Sequence, residues 1–234
     1  MKSMRIRHLI KRLFALTLVL FLLVEGYFIA QVLWYSISPI ETSAYIESEK
    51  ERLGKVQFKP VLLKNISSDM VKAAVAAEDV NFLEHFGIEW KATGEAFVSN
   101  VIEGERAPGG STITQQTVKN LFLTHEKSYL RKFQEMLLSL VMEATWSKGR
   151  ILQTYLNIAE FGEGVFGVEA AARHYYGVSA RHLTHWQSVW LAAILSNPRY
   201  YEMHGSTDWL RHRIDVIEGS MKEPQFASIN NRMR

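Results

Sequence analysis

The stretch from Leu13 to Tyr35 constrains this chain more than any other: 23 residues, apolar except for Thr17, Glu25, Gly26 and Gln31. At about 1.5 Å of rise per residue, a helix of that length crosses a hydrocarbon core of about 30 Å. Lys2, Arg5, Arg7, Lys11 and Arg12 precede it and no acidic residue does. One-sided basic charge places the N-terminus in the cytoplasm and the remainder outside. Trp34 and Tyr35 fall where an outer interfacial belt sits. Glu25 is the discordant residue, since a charge at mid-membrane costs about 3 kcal/mol. It either pairs with a partner helix, is protonated, or is lifted by a shift or tilt of the span. The run is long for a cleaved signal peptide, and no clear small-x-small site follows it.

The charge is concentrated in this tail. Without those five residues, 22 basic side chains face 24 acids, so the basic character gives no reason to expect a nucleic-acid partner. The absence of cysteine excludes disulfides, thiolate catalysis and thiolate metal sites. With 234 residues and 47% apolar content, the chain can build one ordinary domain plus an appendage.

The expected organisation is a basic tail over 1–12, an anchor over 13–35, a juxtamembrane connector over 36–64, a helical domain over 65–225 and a C-terminal tail over 226–234. The connector carries Pro39 and Pro60 and has room for a short helix over Glu41–Leu53. Beyond it, caps mark helices. Ser68 or Asp69 opens one that runs through Asp79. Thr112-Ile113-Thr114-Gln115 has the form of a capping box and opens one toward Leu123. Ser128 starts a helix to about Trp146, and Ser147 another to about Ile158. Val168–Tyr176 is stopped by Gly177, Thr184–Leu195 by Pro198, and Thr207 starts the last, through about Met221. The fold class expected is mainly α.

Three clusters bear chemistry. Glu78 shares a helical face with Val71, Ala74 and Val75, and a carboxylate ending an apolar stripe is partly desolvated, which suits it to proton transfer. The same pattern fits an acid reaching for solvent at a helix end. Gly109-Gly110-Ser111-Thr112-Ile113-Thr114-Gln115-Gln116 combines close backbone approach with the free N–H groups of a helix start, and Lys119 follows Gln115 by one turn. It also fits a well-capped helix after a turn. Arg131, Lys132 and Glu135 lie at i,i+4 and i,i+3 spacing, which by itself describes a surface ion pair. The eight histidines show no convincing metal spacing, and Phe161–Gly167, with its three glycines, reads as a tight loop and not a nucleotide site.

The order of these clusters is more telling than any one of them. Glu78-Asp79-Val80-Asn81-Phe82-Leu83-Glu84-His85-Phe86-Gly87 resembles the first motif of the family 51 glycosyltransferases, the peptidoglycan glycosyltransferases. Gly110-Ser111-Thr112-Ile113-Thr114-Gln115-Gln116 with Lys119-Asn120 resembles the second, Arg131-Lys132-x-x-Glu135 the third, and Lys148-x-x-Ile151-Leu152-x-x-Tyr155-Leu156-Asn157 the fourth. The segment from Ile158-Ala159-Glu160-Phe161-Gly162 to Gly167-Val168-Glu169-Ala170-Ala171 is similar to the monofunctional biosynthetic branch, which has no attached transpeptidase domain.

The resemblance implies a lysozyme-like helical domain with a smaller membrane-facing lobe. It implies lipid II and the growing glycan strand as substrates, at the inner membrane of a bacterium. By that similarity Glu78 is the general base, and Glu135 orients the basic cluster or assists the leaving pyrophosphate. Lys119, Lys127, Arg131 and Lys132 neutralise that pyrophosphate, while Ser111, Gln115 and Gln116 line the cleft. No cofactor or protein-held metal is required by the sequence; a divalent cation, Mg or Mn, would accompany the pyrophosphate. Cell-wall synthesis or division proteins are the partner class implied. The chain departs from the family at Glu95, near a usually basic position, at Gln153 and Gln187, where acids are common, and at Gln134, basic in some relatives. Two rival readings remain: a glycan-cleaving enzyme on the same fold, and a non-catalytic membrane scaffold of cell-wall assembly. The cations of the second and third motifs weigh against a cleaver, which has no pyrophosphate to neutralise.

Overall fold

The computed structural model describes residues 2–99, 110–124, 126, 128–227 and 229–233. Helix α1 spans Lys2–Tyr35. Among the described residues it is the one helix long and apolar enough to cross a membrane, over Ile6–Tyr35. It is followed by α2 (Ala44–Leu53) and the two-residue strand β1 (Gln57–Phe58). Next come α3 (Ser68–Glu78), α4 (Trp90–Val98), α5 (Ile113–Phe122), α6 (Tyr129–Thr145) and α7 (Lys148–Ile158). Strands β2 (Glu160–Gly162) and β3 (Val165–Phe166) form a hairpin leading into α8 (Val168–Tyr176). The chain ends with α9 (His185–Ile194), α10 (Pro198–His204), α11 (Asp208–Met221), α12 (Pro224–Ala227) and α13 (Ile229–Arg232). The domain is mainly α, as expected.

The centre is α7. Ile151, Leu152, Tyr155, Leu156 and Ile158 on it are at most 1% exposed. A fully buried aliphatic side chain contributes about 1.5–3 kcal/mol relative to an exposed one, so this helix is the seam that joins the layers. It packs on α5, which packs in turn on α6, while α3 lies against α9 and α11. The caps follow the sequence closely. Thr112 and Thr184 close capping boxes with Gln115 and Gln187, and Ser128, Ser147 and Thr207 accept from the third backbone N–H of their helices. Gly177 ends α8 in the left-handed region at φ 68°.

Several boundaries differ from the sequence expectation. Ser67, not Ser68 or Asp69, caps α3, its hydroxyl accepting from Met70 N–H. Segment 36–64 is not a free connector. Ile46 and Glu49 of α2 are buried, α2 packs on α5, and β1 pairs in parallel with β3. Asn157 further clamps Val61 through both its backbone groups at 2.8 Å. Nor is 226–233 a loose tail, because Phe226, Ile229 and Met233 enter the core at 1%, 2% and 6% exposure. Phe161–Gly167 is a buried β2–β3 hairpin with a register irregularity between Glu160 and Gly162. Pro198, read as a stop, also starts α10 at its first turn, where a proline loses no hydrogen bond.

Candidate active site

The apolar stripe of α3 delivers Glu78 to the wall of a cavity of about 180 Å³ that it shares with Asp79, Asn81, Glu89, Ser111 and Thr112. Met70, Val71, Ala74 and Val75 are buried behind it, and the Glu78 side chain remains 12% exposed. Each carboxylate oxygen has a donor. Gln116 Nε2 donates to Oε2 at 2.8 Å, and Arg213 donates to Oε1 at 2.8 Å. The Tyr155 hydroxyl donates to Gln116 Oε1 at 3.4 Å and so fixes which way the amide faces. Burial holds the Glu78 carboxyl above its ordinary value of 4.5, against the opposing effects of Gln116, Arg213 and Lys119.

Asp79 ties this helix end to the second motif. Its Oδ2 accepts the Ile113 N–H at 2.9 Å, and its carboxylate meets His85 Nε2 at 2.9 Å. The Thr112 hydroxyl donates to Gly87 O at 2.7 Å. The start of α5 is thereby stapled to the loop after α3, which sets Gln116 one turn further on within reach of Glu78. Lys148 supports the same loop by donating to His85 O at 2.8 Å and Glu143 Oε1 at 2.7 Å.

The opposite side of the site is cationic. Glu135 is 2% exposed and holds two cations, Arg131 at 2.7 Å and Lys132 at 2.5 Å. Lys132 also donates to Ser111 Oγ at 2.8 Å, tying the third motif to the second. A carboxylate buried this deeply needs both partners, since an unpaired buried charge is strongly destabilising. Lys119 stands between the two carboxylates. Burial lowers its ammonium below the usual lysine range; Glu135 opposes that shift, Arg131 and Lys132 reinforce it, and Glu78 opposes it. Lys119 is half-buried, and among the described residues its side chain has no hydrogen-bond partner.

The expected residues fare differently. Glu78, Ser111, Gln116, Lys119, Arg131, Lys132 and Glu135 converge on one site. Gln115 does not line the cleft: it is 0% exposed, and its carbonyl oxygen accepts the Thr112 N–H to close the capping box. Lys127 lies outside the described residues. Glu95 is exposed on α4. Gln153 accepts the Leu63 N–H at 2.8 Å and Gln187 closes the cap of α9, so both departures from the family pattern have local structural uses. Arg213 was missed. It reaches Glu78 from 135 residues away and anchors itself on Ala77 O at 3.0 Å and Ala193 O at 3.2 Å. Glu78 therefore does have an ion-pair partner, one that no local pattern around either residue signals. Among the described residues no group of three or more His, Asp or Glu could hold a metal ion.

Comparison with known proteins decides the family. The transglycosylase family model matches residues 47–222. The chain belongs to the transglycosylase family. Relatives called biosynthetic peptidoglycan transglycosylase align over nearly their whole length. That of Bordetella avium (strain 197N) is 45% identical over 217 residues, covering 88% of this chain and 90% of the relative. That of Janthinobacterium sp. (strain Marseille) is 41% identical over 218 residues, covering 91% and 94%. That of Thiobacillus denitrificans (strain ATCC 25259 / T1) is 41% identical over 220 residues, covering 90% and 95%. As a transglycosylase the chain is an enzyme of glycan transfer. The residues brought together are a desolvated carboxylate, Glu78, and the cations Lys119, Arg131 and Lys132. The match begins inside α2, in keeping with the packing of that helix on α5.

Proposed function

We propose that this transglycosylase polymerises lipid II into β-1,4-linked glycan strands at the outer face of the bacterial inner membrane. Glu78 takes the proton from the 4-hydroxyl of the acceptor sugar. That oxygen attacks the anomeric carbon of the growing strand, and undecaprenyl pyrophosphate leaves. The α-linked donor becomes a β bond, so the displacement inverts, with the acceptor hydroxyl where an inverting hydrolase would place water. Lys119, Arg131 and Lys132 neutralise the pyrophosphate as its charge develops, Glu135 orients the last two, and a divalent cation is compatible with that end of the site. The observation that carries the reading is Lys119: a half-buried ammonium without a side-chain partner among the described residues, under the electrostatic influence of both Glu78 and the Glu135-held cations.

The Glu78–Arg213 pair does not remove the base. Arg213 and Gln116 occupy one lone pair on each oxygen, and the carboxylate still opens on the cavity. An ionised carboxylate whose burial outweighs its ion pair is more basic than usual, which favours proton abstraction.

The membrane supports the choice of substrate. Glu25 of α1 meets Gln134 of α6 at 3.2 Å, and Val32 meets Trp146, so the two helices run in parallel. Glu25 precedes the end of α1 by a helical length of about 15 Å. In an anchor that crosses the bilayer, the start of α6 then lies below the surface. Its exposed side chains there, Tyr129, Leu130 and Phe133, are apolar or amphipathic. A basic tail on one side of α1 supports a cytoplasmic N-terminus. The test is incubation of purified protein with labelled lipid II. A muramidase-sensitive polymer is expected; none under varied detergent and cation conditions would defeat the proposal.

A further inference from the structure

We propose that Trp146 and Arg150 form a clamp that fixes the transmembrane helix to the catalytic domain and so sets the height of the site over the bilayer. The inference rests on the membrane-held substrate proposed above. The last carbonyls of a helix have no partner within it and carry the negative end of its dipole. In α1 the domain itself supplies donors to that end. Trp146 Nε1 donates to Val32 O at 2.9 Å in a buried contact, as a second donor beside the Ser36 N–H that the same oxygen accepts at 3.1 Å. Arg150 donates to Tyr35 O at 3.0 Å and to Ser38 O at 2.5 Å, the latter in the first turn beyond the helix. The guanidinium lies 5.4 Å from the centre of the Trp146 ring, so the two donors are braced against each other. Val32 is 0% exposed, and Tyr35 packs its ring 6.1 Å from that of Phe122 at the end of α5.

These contacts connect the anchor to the two helices that carry the site. Trp146 caps the C-terminal end of α6, which bears Arg131, Lys132 and Glu135 near its start. Phe122 ends α5, which bears Gln116 and Lys119. A single-pass anchor joined by a swivel would let the site sample many heights and tilts relative to a substrate whose phosphates sit at one depth. A clamped anchor restricts that sampling. Trp146 and Arg150 are thus positioning residues and touch no reacting atom.

A merely structural role predicts equal losses on every substrate; a positioning role does not. Full-length wild type, Trp146→Phe (which keeps the ring and removes the donor) and Arg150→Met would be compared on two substrates. One is lipid II with its full prenyl chain in reconstituted vesicles, the other a short-chain, water-soluble analogue in detergent. The clamp predicts kcat/KM in vesicles reduced about tenfold in each variant, with the rate on the soluble analogue kept within about twofold of wild type. Equal falls on both substrates, or no fall on either, would overturn it. Wild type inactive on both would instead sink the glycan-transfer reading, a failure distinct from equal rates in variant and wild type.

Discussion

Replacing Glu135 with glutamine isolates the charge that organises the cationic side of the site. The carboxylate is 3% exposed in its side chain and accepts from Arg131 at 2.7 Å and Lys132 at 2.5 Å. Hydrogen bonds to charged groups contribute about 1.5–3 kcal/mol each, and removing one member of a buried pair costs about 3–5 kcal/mol. The two cations are 17% and 32% exposed, so water recovers part of that loss. Glutamine also keeps one acceptor. The expected net destabilisation is about 2–3 kcal/mol, which for a domain of this size lowers Tm by about 4–12 °C. Thermal unfolding followed by circular dichroism reads the shift. A double-mutant cycle with Lys132→Met should show coupling of about 1–2 kcal/mol, because the two changes remove the same contact. A Tm within about 1 °C of wild type, or additive effects in the cycle, would refute the claim that Glu135 is held as a paired buried charge.

Other expectations follow from the same geometry. Gly167 adopts φ 84°, and a Cβ there would stand 2.4 Å from Asn157 O, so Gly167→Ala should lower stability by more than about 2 kcal/mol in chemical denaturation. Activity should require ionised Glu78 and be lost as pH falls through a pKa above the ordinary 4.5, since burial raises it. Arg213 and Lys119 are the cations that oppose that shift, with Gln116 as the neutral donor and Tyr155 behind it. Arg213→Met should therefore move the acidic limb of the pH–rate profile to higher pH, and a limb at unchanged or lower pH would contradict this.

Much of the fold was legible because caps are local. Thr112, Ser128, Ser147, Thr184 and Thr207 each satisfy a donor within three residues, so sequence alone carries the information. What was not legible depends on distant partners. Arg213 meets Glu78 across 135 residues, and nothing at position 213 marks it among neighbouring charges. The connector looked loose because β1 is only two residues long, and its pairing partner, β3, lies more than a hundred residues away. Gln115 and Gln116 are adjacent glutamines with opposite fates, one turned into the capping box and the other toward Glu78. Their separation required the position of Thr112 on the loop held by Gly87. Glu25, the anomaly of the anchor, meets Gln134, one of the departures from the family pattern; each side chain became intelligible only with the other in view.

The central claim is that a desolvated Glu78 removes the acceptor's proton, and Glu78→Gln tests it most directly. Removing the charge relieves the cost of burying it but also breaks the Arg213 pair, so circular dichroism and thermal unfolding should first show that the variant is folded. Measured on lipid II under identical conditions, it should form polymer at least about a hundredfold more slowly, the scale of a lost general base. A folded Glu78→Gln enzyme that polymerises at the wild-type rate would contradict the account.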